Sequence, residues 1–187
     1  MNRRHAVLAP AFALAFAAGL GASGSARAAD ANTVYLDTKD GRVTVELRPD
    51  LAPKHVKQLK TLIGQGFYDG LKFHRVMDGF MAQTGDPKGN GTGGSSLPDI
   101  PAEFSAAQFR RGTVGMARSS DPNSANSQFF ICLGDAAFLN GQYTVVGLVS
   151  DGMEVVDKIK KAAPGAAGGS VQNPDRIVRM QLADKAK

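Results

Sequence analysis

Two blocks of this sequence alternate polar donors with large apolar side chains: Phe73-His74-Arg75-Val76-Met77-Asp78-Gly79-Phe80-Met81-Ala82-Gln83 and Ser127-Gln128-Phe129-Phe130-Ile131. Read as strands over residues 71–76 and 79–84, the first block puts Arg75 on one face with Leu71 and Phe73, with Phe80, Met81 and Gln83 after a tight turn. A guanidinium near apolar surface needs a partner or a purpose. A guanidinium donates hydrogen bonds from a fixed charge in a rigid fork, and taken alone Arg75 fits a structural ion pair as well as a functional donor. No nucleophile and no proton transfer are implied.

Other chemistries lack their parts. Beyond residue 28 only His55 and His74 remain, with no second His or Cys at metal-ligand spacing, so a zinc site is not expected. His55 is expected on the exposed part of a helix, and His74 as a hydrogen-bonded structural residue in a strand. Ser119, Ser120, Ser124 and Ser127 have no oriented base and no nucleophile elbow. The run Gly89-Asn90-Gly91-Thr92-Gly93-Gly94 matches G-x-G-x-x-G. It follows Pro87-Lys88, not a strand, and leads to Ser95-Ser96-Leu97-Pro98, not a helix, which points to a glycine-rich turn system. The single cysteine, Cys132, has no disulfide partner and is expected in the core with Phe129 and Ile131.

The elements that must position these residues follow from periodicity. Alternation at 33–37 and 43–47 around Asp40-Gly41 is a hairpin. Pro53 opens a segment with Val56, Leu59 and Ile63 at helical spacing, closed by Gly64 and Gly66. Short strands are predicted at 71–76, 79–84, 113–118, 128–133, 144–149 and 176–182, and a second helix at 153–162. About eight short strands with two helices suggest a mainly β chain that closes a barrel with capped ends. The segment 83–104, rich in Gly, Pro, Ser and Asp, is a long loop of the kind that carries function.

The first 28 residues read differently. Arg3 and Arg4 precede an uncharged Ala- and Leu-rich stretch at 6–20, then small residues ending Ala26-Arg27-Ala28. That order is a signal peptide's, leaving 29–187 as one domain, periplasmic or secreted by the ordinary route. The apolar part is too short to span a bilayer comfortably, so no stable membrane insertion is expected after cleavage. Its removal takes three basic residues and no acid from a chain with net charge +5. No Lys/Arg block with interleaved aromatics remains, so nucleic acid is not an expected partner.

The blocks above closely resemble the cyclophilin family. The resemblance runs from about residue 33 to about residue 182 and rests on Phe67-Tyr68-Asp69-Gly70, Phe73-His74-Arg75, Gly79-Phe80-Met81, Gln83-Thr84-Gly85-Asp86, Gly91-Thr92-Gly93-Gly94, Gly115-Met116-Ala117, Asn126-Ser127-Gln128-Phe129-Phe130-Ile131 and Val146-Gly147. It implies a closed eight-stranded antiparallel β-barrel capped by two α-helices. It also implies peptidyl-prolyl cis-trans isomerase activity with no cofactor and no metal, acting on proline-containing peptides. Carried onto matching positions, the catalytic arginine is Arg75, the proline pocket is Phe80, Met81, Phe130 and Leu139, and Gln83 and Gln128 hold the substrate backbone. Ala117 and Arg118 line the groove beside them.

Three groove positions depart from the best-known eukaryotic pattern: Phe138 stands for Trp, Tyr143 for His and Arg118 for Asn. In this the chain looks like the bacterial, exported branch, whose clients would be unfolded or partly folded exported proteins. Loss of an indole N–H donor implies weak cyclosporin binding. A monomer is the default. A module that holds Pro-containing segments like a chaperone, without turnover, would use the same groove.

Overall fold

The computed structural model describes residues 31–186; the expected signal peptide lies outside the described residues. Strands β1 (Thr33–Thr38) and β2 (Gly41–Leu47) form the predicted hairpin, with Thr38 opposite Gly41. Val34, Leu36, Val43, Val45 and Leu47 point inward at a period of two.

Helix α1 (Pro53–Gly64) follows, with Pro in its first turn and Val56, Leu59, Leu62 and Ile63 buried. His55, expected to be exposed, is fully buried. The reason lies far away in the chain. Ala52 stands at the N-cap without a side-chain oxygen, so Glu103 accepts the N–H groups of Lys54 and His55, each at 3.1 Å. The same carboxylate lies 2.7 Å from His55 Nδ1. An anion at a helix N-terminus satisfies donors that have no intrahelical partner.

Six more strands complete the sheet: β3 (Arg75–Met77), β4 (Met81–Thr84), β5 (Thr113–Met116), β6 (Phe129–Cys132), β7 (Val145–Asp151) and β8 (Arg179–Leu182). All pairings are antiparallel, in the order β3-β4-β6-β5-β7-β2-β1-β8. The expectation of a closed barrel is overturned, because the outer strands β3 and β8 do not pair and the sheet is an open, strongly curled half-barrel. Register shifts at Thr44/Val45 and Val114/Gly115 mark bulges, which bend and twist a sheet. Closure fails for a local reason. β3 is three residues long and Arg75 bridges to Ser170, so the flanks of β3 and β8 meet only outside the strands, through the isolated Lys72–Arg176 bridge and the backbone hydrogen bonds Gly70 N–H to Ile177 O, Ile177 N–H to Leu71 O and Phe73 N–H to Asp175 O.

The second helix is also shorter than expected. Helix α2 (Met153–Val156) makes one turn, and by Ala162 the backbone N–H donates to Val76 O. Pro164 two residues later disfavours a helical continuation.

The two faces of β4 and β6 go to different places. Ala82, Phe129 and Ile131 join the main core with α1, while Met81, Phe130 and Cys132 join a smaller cluster with Phe109, Leu139 and Val145. Cys132 therefore parts from Phe129 and Ile131, correcting the single core expected for all three. A strand buried on both faces reads as a continuous apolar run, and its sequence does not say which residue faces which way. Burial in this cluster pushes the Cys132 thiol up to about 12.

Candidate active site

The smaller cluster is the floor of a groove. Across it Arg75 pairs with Gln83, Gln83 with Phe130, and Phe130 with Gly115, so one row of four strands presents these positions side by side. Glycine is required in this row. A Cβ at Gly115 would stand 2.5 Å from Phe109 and 2.6 Å from Phe130, whose rings stack at 5.7 Å. Arg75 does not share a face with Phe73 as expected. Phe73 is fully buried in the main core, and β3 begins only at Arg75, so alternation does not carry across.

Hydrogen bonds then fix the polar side chains in sequence. Arg75 donates from Nε to Gly168 O at 2.7 Å, from Nη1 to Gln83 Oε1 at 3.1 Å, and from Nη2 to Met77 Sδ at 3.4 Å. With its oxygen committed, Gln83 donates from Nε2 to Gln128 Oε1 at 2.9 Å. Gln128 in turn donates to Gly91 O and Gly93 O at 3.1 and 2.8 Å. Five N–H groups belong to a guanidinium. One on each terminal nitrogen of Arg75 is left over, and among the described residues no carboxylate pairs with it.

The apolar wall is next to these donors. Met81, Phe130 and Leu139 are buried, Phe80 is half-buried, and Phe138 rises from a short 3-10 turn (Ala137–Leu139) with 64% of its surface exposed. Phe80 and Phe138 lie 5.3 Å apart, and Tyr143 meets Phe130 edge-on at 6.0 Å. Ten of the eleven residues anticipated from the sequence line one groove of about 500 Å³: Arg75, Phe80, Met81, Gln83, Ala117, Arg118, Phe130, Phe138, Leu139 and Tyr143. Gln128 lies in an adjoining polar pocket, reaching the groove through Gln83.

A groove of this kind can bury a small ring and present donors to an amide beside it, and comparison with known proteins says which ring. Residues 33–182 match the family described as cyclophilin type peptidyl-prolyl cis-trans isomerase/CLD. The chain belongs to the cyclophilin-type isomerases. It is similar to a probable peptidyl-prolyl cis-trans isomerase of Brucella suis, 58% identical over 96% of this chain and 95% of that one. Among solved structures it is similar to the cyclophilin AquaCyp293 from Hirschia baltica, with TM-score 0.73 and 26% identity over 84% of this chain and 76% of that one. A Cryptosporidium parvum cyclophilin in the presence of the dipeptide Ala-Pro gives TM-score 0.73 and 30% identity, covering 80% of this chain and 98% of that one. The chain is thus a peptidyl-prolyl cis-trans isomerase.

This cyclophilin-type groove is also lined by residues not expected in the site: His74, read as structural, Asn90 and Gly91, read as part of a glycine-rich turn, and Ala167, Gly168 and Ser170, which nothing in the sequence singled out. Gly168 contributes only a carbonyl, from a stretch, Pro164-Gly165-Ala166-Ala167-Gly168-Gly169, that offers no reactive side chain to notice. The wall carrying Gly91 is organised by Asp86, whose carboxylate accepts the N–H groups of Lys88, Asn90 and Gly91 at 2.8, 3.0 and 2.6 Å. Burial pulls that carboxyl up, but the converging N–H groups outweigh it and hold it below its ordinary value. His74 departs from its expected hydrogen-bonded role. It is buried, and neither ring nitrogen has a partner at hydrogen-bonding distance. Burial lowers its pKa against the pull of Asp86 and the Lys72 backbone.

Proposed function

We propose that this isomerase rotates X-Pro bonds by donating a hydrogen bond from Arg75 to the proline nitrogen as the bond twists. The observation that carries the reading is the pair of uncommitted Arg75 N–H groups beside the apolar pocket. Amide resonance sets a barrier of roughly 20 kcal/mol. Twisting removes the resonance and returns a lone pair to nitrogen, so a donor placed there stabilises the transition state more than the planar ground state. Phe80, Met81, Phe130 and Leu139 grip the pyrrolidine ring. Gln83 and Gln128 hold the neighbouring backbone, with Ala117, Arg118, Phe138 and Tyr143 along the rim, so one side of the bond turns against a fixed other side. Solution of the Cryptosporidium parvum relative in the presence of Ala-Pro supports a proline-containing ligand.

The proposed setting is outside the cytoplasm, in a periplasm or secreted. Residues 1–28 act as a signal peptide and 29–187 as the isomerase domain, a member of the bacterial exported branch that speeds folding of exported proteins. The basic, apolar, then small-residue order at the N-terminus supports this. Phe138 in place of Trp supports weak cyclosporin binding, and the working unit is a monomer.

The test is the cis-to-trans rate of a short Ala-Pro peptide with the purified protein and with Arg75→Ala at matched folding by circular dichroism. Catalysis lost in the variant is expected; an unchanged rate would sink the mechanism. Sequencing the N-terminus of the exported protein tests the setting, with a start at residue 29 expected.

A further inference from the structure

A pocket that holds the proline ring by apolar burial leaves the charge of its walls to act on the flanking residues. The charged residues lining the groove are Arg75 and Arg118, with no carboxylate among the described lining residues. Arg118 also lines the adjoining polar pocket of about 540 Å³ and so stands on the saddle between the two. The carboxylate in that second pocket, Asp99, accepts the Asn126 amide at 2.9 Å.

Arg42, Arg48 and Arg111 are paired with Asp37, Asp50 and Asp157. Arg118 is held differently. Its Nε and Nη2 donate to Gln142 O at 3.3 and 2.9 Å, and its Nη1 to Ser119 O and Ser120 O at 2.8 and 3.4 Å. The guanidinium carbon lies 4.4 Å from the centre of the Tyr143 ring. These partners are neutral, so they fix the side chain without cancelling its charge. A cation already immobilised loses little further conformational freedom when a ligand arrives. Arg75 adds charge of the same sign on the other side of the groove.

We propose that Arg118 sets a charge preference, favouring X-Pro segments that carry an acidic side chain two residues before the proline or directly after it and disfavouring those with a basic one. The proposal rests on the isomerase reading of the same groove. Arg118 is a specificity residue here, acting on the flank and not on the bond that turns.

The experiment compares peptides Ala-Xaa-Ala-Pro-Ala and Ala-Ala-Pro-Xaa-Ala with Xaa as Glu, Gln or Lys. Isomerisation is followed by exchange between cis and trans NMR signals, and peptide Kd is read from chemical-shift titration in the same samples. At low ionic strength the Glu peptide is expected to exceed the Lys peptide in kcat/KM by about tenfold in at least one register. The ratio should shrink to within about twofold in about 1 M salt, where the Debye length is about 3 Å. Arg118→Gln should collapse the ratio and Arg118→Lys should keep most of it. Equal turnover of Glu and Lys peptides in both registers at low salt would overturn the proposal, as would a full ratio in Arg118→Gln. The wild-type salt series stands even if a variant folds poorly. Absence of turnover for every peptide would instead overturn the catalytic reading; the Glu-to-Lys ratio in Kd then upholds the charge preference by persisting or overturns it by vanishing.

Discussion

At the start of α1, Glu103 collects two backbone N–H groups and stands against the buried ring of His55. At the edge strand β3, Arg75 is tied to Gly168, Gln83 and Met77 yet keeps N–H groups unspent beside a groove. Both are polar couples that bridge segments distant in the chain, and both sit against apolar surroundings. They differ in what is left over. The Glu103 carboxylate is consumed by the fold, so its loss is expected to cost stability; the Arg75 fork is held from three sides but not consumed, so on the proposed mechanism its loss costs function. A half-buried polar residue thus announces a site less by its burial than by the donors it has to spare.

The largest expected effect breaks this contrast on the Arg75 side. Arg75→Ala should lower kcat/KM by about a hundredfold or more, the scale of removing a donor aimed at a transition state, while the thermal midpoint stays near wild type. A parallel fall in both would make Arg75 structural. Glu103→Ala should do the reverse. Stranding the Lys54 and His55 donors is expected to cost about 2–3 kcal/mol of unfolding free energy by urea titration, with kcat/KM of the remaining folded protein close to wild type.

Gly115→Ala sharpens the comparison, because it acts on the groove floor through packing alone. A methyl pressed against Phe109 and Phe130 should destabilise by about 1–2 kcal/mol and raise KM more than it lowers kcat, since the ring pocket shifts while Arg75 stays. A changed kcat with unchanged KM would contradict that assignment. The smallest effect is on pH. Burial lowers the pKa values of both His55 and His74 from the ordinary 6.5, for His55 against the opposing pull of Glu103. Between the lowered values and 6.5 the unfolded chain binds protons that the folded chain does not, so stability should decline as pH falls below about 6.5. Urea midpoints from about pH 7.5 to 5.5 check this; a flat profile would remove histidine burial as a source of acid sensitivity.

The groove residues were named by the resemblance, while local alternation predicted the short strands, β4 and β6 among them, that carry several of them. Met81 and Gln83 share a face two residues apart, but Cys132, expected with Phe129, shares its face with Phe130 instead, and the first hairpin turns at Lys39-Asp40, one residue before the expected Asp40-Gly41. The misread residues depend on partners remote in sequence. His55 is buried because Glu103 lies 48 residues on, and Gly168 reaches Arg75 across 93 residues through a carbonyl that any residue type could supply. His74 stands beside Gly91 of the loop that Asp86 organises, a neighbour remote in sequence, and neither ring nitrogen finds a hydrogen-bond partner there.

The sequence by itself determined the order of strands and helices, the inward face of the first hairpin and the motifs that carry the family resemblance, because each is written in spacing of a few residues. Tertiary structure alone decided that the sheet stays open, since closure depends on whether β3 meets β8 or is drawn to Ser170. It also decided which N–H groups of Arg75 remain free and that Arg118 is held by neutral carbonyls. Those outcomes depend on which distant donor and acceptor come within about 3 Å of each other, a distance that residue spacing does not encode.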